Sequence, residues 1–318
     1  MYHTDLQILS IGEALIDFIG NDISDSLSKT HTFSQHIGGS ATNLALNCAK
    51  LGLKTQLIAA VGDDELGQHI IDTIESTGIK SSGIKRIMGK KTSKMYISRS
   101  LRTPDFKPER ESDFYIDESQ VLGSDMSKAQ IFHTTCFALS RNPAQSVILE
   151  KAKIAFNLGL KLSIDVNFSR KIWDSRDSAI RILKLYCQYN PFIKISTDDS
   201  ERLFGKHVTK QQVFEFFHNS GVEFICLTKG KNGVEVAQKG KEILYFEAIE
   251  IDKIVDSTGA GDAFWAGFLA SFVKGKNTNS CIEYALHVAA VKLINIGSLP
   301  ENILDIVSDK LIQRSQTI

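Results

Sequence analysis

Two carboxylates bracket a glycine-rich turn late in the chain, in the run Asp256-Ser257-Thr258-Gly259-Ala260-Gly261-Asp262-Ala263-Phe264. An apolar stretch, 264–269, follows at once, so the turn reads as the entrance of a buried helix. The first N–H groups of a helix have no intrahelical partner. With the positive end of the helix dipole they form a place for a phosphate, or for charge developing on a transferring group. Asp262 beside that place would repel an anion unless it has its own task, such as taking the proton of a hydroxyl that attacks a phosphoryl group. A plainer reading makes Asp262 a first-turn capping residue and the glycines a simple turn. Capping does not require Asp256, whereas a cation near phosphates would.

Four other clusters carry polar residues at telling places. In Ile37-Gly38-Gly39-Ser40-Ala41-Thr42-Asn43 the glycines allow close backbone approach to a ligand, and Asn43 falls in the first turn of a following helix with an amide that can bond a hydroxyl. The alternative is a glycine turn with a solvent-facing Asn. Asp17, in Gly12-Glu13-Ala14-Leu15-Ile16-Asp17-Phe18, sits in a mainly apolar stretch, where a carboxylate costs desolvation unless hydrogen-bonded; its two oxygens suit two adjacent hydroxyls. A solvent-facing Asp on an edge strand is the other reading. Ser196-Thr197-Asp198-Asp199 reads either as ligand-facing acids or as a helix entrance with Ser196 as N-cap. Thr228-Lys229-Gly230-Lys231-Asn232-Gly233 ends a strand with a glycine turn, which could equally be a hairpin connection into Val234-Glu235-Val236.

The elements that must position these residues alternate. Segments 6–11, 55–61, 130–134, 161–165, 192–196 and 223–228 read as strands, and 41–51, 67–77, 142–158, 177–186 and 210–219 as helices. This is the pattern of an α/β fold with a doubly wound, mostly parallel sheet covered by helices on both faces, with ligands beyond the carboxyl ends of its strands. Segments 13–36 and 91–117 break the rhythm with β-prone pieces and predict a small appended β-sheet within a single domain spanning 1–318. The charged, Pro-containing run 102–112 predicts an exposed loop.

With 318 residues, 42% of them hydrophobic, and 37 basic against 37 acidic side chains, the chain can bury a large core and shows no charge bias toward nucleic acid or membrane. No apolar run has the length of a membrane span and the N-terminal residues lack an export signal, so a cytoplasmic protein is expected. Five scattered cysteines without C-x-x-C pairing predict reduced, buried thiols.

The 256–262 run resembles the second signature of the ribokinase-like (PfkB) carbohydrate kinases, D-T-x-G-A-G-D, with Ser257 in a slot often held by Thr. Residues 38–45 resemble the first signature, G-G-x-x-x-N-x-A, and Gly-Glu-Ala-Leu-Ile-Asp-Phe looks like the fructokinase branch. The resemblance covers nearly the whole chain. It implies transfer of the γ-phosphoryl group of ATP, with Mg2+, to a primary hydroxyl of a small sugar, fructose first, with ribose, 2-keto-3-deoxygluconate or a nucleoside as alternatives. A non-catalytic sugar- or nucleotide-binding relative is a separate class, which gains nothing from a base beside an anion site. By resemblance Asp262 is the base, Gly259, Ala260 and Gly261 form the anion hole, and Asp17, Gly38, Gly39 and Asn43 bind the sugar. Asn167 joins them from a D-P-N-like stretch, 165–173, in which Ser169 fills an arginine slot. Arg99 stands in for a lid arginine, because Phe114-Tyr115-Ile116 replaces Phe-Tyr-Arg. Ser196, Thr228, Gly230 and Gly233 would meet ATP. Asp199, replacing a Glu, would reach magnesium through water, and Asp256 and Thr258 are candidates to hold a monovalent cation such as K+. The two β-prone segments would form a lid that excludes water and pairs with that of a second copy in a homodimer.

Overall fold

The computed structural model describes residues 6–24, 26–100 and 105–308. The chain starts the main sheet with β1 (Ile8–Ile11), leaves it for β2 (Leu15–Ile23) and β3 (Phe33–Gly38), and returns through α1 (Ser40–Lys50), β4 (Thr55–Gly62), α2 (Glu65–Ser76) and β5 (Lys80–Ile87). A second excursion, β6 (Lys94–Arg99) and β7 (Phe106–Glu109), precedes the short α3 (Gly123–Met126). Alternation resumes with β8 (Ile131–Thr135), α4 (Ala144–Asn157), β9 (Lys161–Asp165), α5 (Arg176–Cys187) and β10 (Phe192–Ser196). Then come α6 (Thr197–Phe204), α7 (Lys210–Asn219), β11 (Phe224–Thr228), β12 (Val234–Gln238), β13 (Leu244–Phe246), α8 (Ala260–Val273) and α9 (Thr278–Leu293). Every strand and helix expected from the alternation is present, with no end shifted by more than two residues.

The main sheet has nine strands in the order β13-β12-β11-β10-β9-β8-β1-β4-β5, parallel from β5 to β11 and antiparallel through β12 and β13. Its strands are apolar on both faces, as a sheet covered twice requires. Leu9 and Ile11 pack with residues of α4, α5 and α7, while Ile8 packs with α1, α8 and α9. Strand order runs outward in both directions from β1, so the chain reverses between β1 and β8, and the crevice above that point is where such sheets hold ligands.

Helix α8 is apolar almost all round because it lies inside the molecule. Trp265 is fully buried and stacks on Phe268 at 4.7 Å between ring centroids, and Phe268 in turn stacks on Phe224 of β11 at 5.1 Å. Each such side chain contributes about 1.5–3 kcal/mol through burial, enough to fix the N-terminus of α8 against the sheet.

The second sheet, in the order β3-β2-β6-β7, stands over the crevice. Leu15, Asp17, Met95, Ile97 and Phe106 line the cavity beneath it, and Phe18, Phe33 and Tyr96 cluster as rings on its other face. The run expected as an exposed loop is in part this sheet's edge: residues 106–109 form β7, while 102–104 lie outside the described residues. Pro108 is compatible with an edge strand, where its missing N–H is not needed. Farther on, Arg110 and Asp113 form a buried ion pair at 2.6 Å, which also contradicts exposure. All five cysteines are buried and unpaired. No helix among the described residues is long and apolar enough to cross a membrane.

Candidate active site

Asp262 is the third residue of α8, with Gly259 as N-cap in the left-handed region at φ 74°. Its Oδ1 accepts the Ser40 hydroxyl proton at 2.6 Å and its Oδ2 accepts from the Asn43 amide at 2.9 Å. Both donors come from the first turn of α1, which packs against α8. Asp262 lines a cavity of about 380 Å3 together with Asp17, Gly39, Asn43, Asn167 and Asp199. Burial, together with the Asp165 charge, pushes its carboxyl up to about 6, against the lowering pull of Lys194, Ser40 and Asn43. Among the N–H groups assigned to an anion hole, that of Ala260 is taken up by the Ser257 carbonyl at 3.2 Å. Those of Gly259 and Gly261 make no hydrogen bond to a described residue, as expected for the start of a helix.

Asp17 lies on β2 and faces the same cavity, 8% exposed, and no donor among the described residues reaches its oxygens. Burial first, then the charges of Asp262 and Glu13, push its carboxyl up to about 8. Glu13 is more deeply buried. Its Oε1 accepts the Ser40 N–H at 2.8 Å and its Oε2 the Thr135 hydroxyl at 2.7 Å, so it ties α1 to β8; burial pushes it up to about 7. The two glycines are explained by these acids. A Cβ on Gly38 would fall 2.2 Å from the Asp17 carboxylate, and one on Gly39, whose φ is 97°, would fall 2.3 Å from the Glu13 carbonyl.

Other assignments change. Asn43 lines the cavity while its Nδ2 donates to Asp262, because the first turns of α1 and α8 meet. Asn167 lines the cavity while its Oδ1 accepts the Phe137 N–H at 3.0 Å. Arg99 is not part of the cavity wall: it lies at the far end of β6, where its guanidinium donates to the carbonyls of Asn21 and Val255, both at 3.3 Å. Ser196 is the N-cap of α6, accepting from the Asp199 N–H at 3.0 Å and donating to Asp199 Oδ2 at 2.5 Å. Asp199 also receives Arg202 at 2.9 Å, and burial sets its carboxyl at about 6. Thr228 stands beside Ser196 in the β10–β11 register. Gly230 opens the turn that follows, and Gly233, at φ 77°, is required by the neighbouring β13, since a Cβ there would lie 2.0 Å from the Phe246 carbonyl.

Two lysines that sequence reasoning passed over lie against the 256–262 loop. Lys194, on β10, pairs with Asp165 on β9 at 2.8 and 3.0 Å, and its ammonium lies 2.7 Å from where a Cβ of Gly261 would be. Burial alone would lower its pKa, but the carboxylates of Asp165, Asp262 and Asp199 outweigh it and keep it charged. A lysine inside the apolar strand Phe-Ile-Lys-Ile-Ser was the available signal, since it demands a buried acid on a neighbouring strand. Lys292, near the end of α9, pairs with Asp256 at 3.0 Å. Burial raises the Asp256 carboxyl, yet the Thr258 N–H and the Lys292 ammonium together hold it below the usual carboxylate range.

Residues 5–301 match the model of the pfkB family carbohydrate kinases. The chain is 30% identical over 295 residues to an ATP-dependent 6-phosphofructokinase of Thermoanaerobacterium thermosaccharolyticum, covering 92% of this chain and 89% of that protein. It is 29% identical over 271 residues to probable fructokinase-5 of Arabidopsis thaliana, covering 84% and 83%. The solved structure of Halothermothrix orenii fructokinase superposes with a TM-score of 0.79 at 30% identity, over 89% of this chain and 98% of that one. The loop at 256–262, the glycine pair at 38 and 39 and the crevice they share thus sit in a chain that belongs to the pfkB family of carbohydrate kinases.

Proposed function

We propose that this protein transfers the γ-phosphoryl group of ATP to a primary hydroxyl of a small, uncharged sugar, with fructose as the acceptor. The observation that carries the reading is Asp262, a carboxylate steadied on both oxygens by Ser40 and Asn43 beside the unengaged N–H groups of Gly259 and Gly261. The sugar hydroxyl gives its proton to Asp262 as its oxygen bonds the γ-phosphorus. The bond from phosphorus to the β–γ bridging oxygen breaks and ADP leaves. The N–H groups receive charge spreading over the equatorial oxygens. The nucleotide lies along the carboxyl ends of β10 and β11, where Ser196 and Thr228 are neighbours and Gly230 leaves the surface open.

Magnesium fits as an ion that arrives with the nucleotide. Among the described residues no group of three or more His, Cys, Asp or Glu side chains is placed to hold a metal, and the oxygens of Asp199 are already engaged by Ser196 and Arg202, so contact with an ion would run through water. Bound there, magnesium neutralises phosphate charge.

The acceptor reading rests on the lack of an unpaired cation among the described lining residues. Glu13, Asp17 and Asp262 line the cavity with apolar lid side chains, and Arg202, its one cationic lining residue among those described, is paired with Asp199. A dianionic sugar phosphate, the substrate type named for the Thermoanaerobacterium relative, would meet acids there without a free cation. The partly exposed Phe18, Phe33 and Tyr96 on the outer lid face support pairing with the lid of a second copy.

The test is ADP release from ATP and magnesium with fructose, fructose 6-phosphate, ribose, 2-keto-3-deoxygluconate and adenosine. Fructose should give the highest kcat/KM. Preference for fructose 6-phosphate would overturn the acceptor reading, and silence with every acceptor would overturn the kinase reading.

A further inference from the structure

Lys292 is buried near the end of α9, its side chain 4% exposed, and its ammonium stands among oxygens. Asp256 Oδ2 lies at 3.0 Å, the Asp256 carbonyl at 3.4 Å and the Asn295 carbonyl at 3.3 Å. An ammonium has three protons and no acceptor, so the three oxygens match its donors. The remaining Asp256 oxygen accepts the Thr258 N–H at 2.9 Å, and the Val255 N–H donates to the Leu293 carbonyl at 2.8 Å. The lysine stem runs beneath the anion loop: a Cβ on Gly259 would lie 3.8 Å from Lys292 Cε. Loop 255–259 is therefore joined to the end of α9 around one positive charge.

A monovalent metal ion in this place would need the same carboxylate and main-chain carbonyls in its shell. Those oxygens already surround a cation of equal charge that is covalently part of the chain, so the residues present do not fit potassium at Asp256 and Thr258. We propose that Lys292 is a built-in cation, a positioning residue whose ammonium holds the anion loop in shape and frees the protein from any need for a monovalent metal ion. Lys292 acts through Asp256 and the loop. The inference rests on reading that loop as the phosphate-binding element.

The test compares the parent with Lys292→Ala, which leaves room for an ion, and Lys292→Met, which keeps the stem without the charge. At constant ionic strength the parent's turnover should be unchanged when potassium replaces tetramethylammonium. In tetramethylammonium both variants should lose about tenfold or more, the size expected for a charge-assisted hydrogen bond removed. Potassium or ammonium should restore Lys292→Ala and leave Lys292→Met low. A second readout needs no turnover: crystals soaked in thallium(I) should show an anomalous peak between Asp256 and Asn295 in Lys292→Ala and none there in the parent. A parent rate that climbs with potassium, a thallium peak beside Lys292 in the parent, or a folded Lys292→Ala with parental turnover and no response to potassium would each overturn the proposal. Should Lys292→Ala not fold, the parent's potassium titration and thallium map decide alone. A parent inactive on every sugar counts against the phosphoryl-transfer reading, and the thallium maps then decide this one separately.

Discussion

On the sheet side of the cleft, Asp165 and Asp256 each face a buried lysine, Lys194 at 2.8 Å and Lys292 at 3.0 Å. On the lid side, Glu13 and Asp17 are buried just as well, yet no ion pair among the described residues involves either. Asp256 is held below the usual carboxylate range, whereas Glu13 and Asp17 rise to about 7 and about 8. One chemical group, the carboxyl, thus serves two purposes, according to whether a cation is folded in beside it. With Lys292 beside it, Asp256 stays charged and ties the 256–262 loop to the end of α9. Without a cation the group tends to keep its proton, and a carboxyl that can both donate and accept suits a neutral polyol. Asp262 stands where the two walls meet, at about 6, and feels both Lys194 and Asp165.

The largest effect expected from breaking this arrangement is at that junction. Asp262→Asn should cut turnover by about two to four orders of magnitude, the range for a lost general base, while calorimetry finds ATP affinity near the parent's. Turnover within a few-fold of the parent would remove Asp262 from the chemistry.

On the sheet side, Lys194→Met strands Asp165 as an unpaired buried charge and should destabilise the fold by about 3–5 kcal/mol in denaturant unfolding. Adding Asp165→Leu should restore much of the loss, because an apolar pair needs no counter-charge. Equal instability of the single and double variants would show that the pairing is not what matters.

The lid side should respond most weakly, and with opposite sign in pH. Folded Asp17 and Glu13 keep protons up to about 8 and 7, whereas unfolded carboxyls release theirs near 3.8 and 4.5, so the native state binds more protons between those limits. Stability then rises as pH falls through that window. The ligand-free protein should melt at a higher temperature at pH 7 than at pH 8.5, a range where His133, burial having pushed its pKa down to about 3, is neutral folded and largely neutral unfolded. Asp17→Asn should flatten this slope and raise the sugar KM about tenfold without moving that for ATP. A slope unchanged in the variant would assign the effect elsewhere.

The alternation of apolar runs made the doubly wound sheet legible, and the glycine strings at 38–39 and 259–261 marked both sides of the crevice, because local periodicity and turn chemistry are written in adjacent residues. What escaped was set by contacts across long stretches of chain. Glu13 was visible only as part of a motif, since its task is to hold the start of α1, 27 residues on. Lys194 acquires meaning only when β9 and β10 pair in register. Lys292 finds its partner only when the loop at 256 folds against α9. Arg99 lies off the cavity wall because strand length, which carries it past the cavity to Val255, is not fixed by residue type.

The pH dependence of kcat/KM for the sugar, measured side by side for the parent and Asp262→Asn, tests the central assignment most directly. A base must be ionised, so the parent's rate should fall as pH drops through about 6, where Asp262 takes up its proton. The residual rate of the variant should lack that fall. An acid limb that persists unchanged in Asp262→Asn would contradict the account and place the base on another residue.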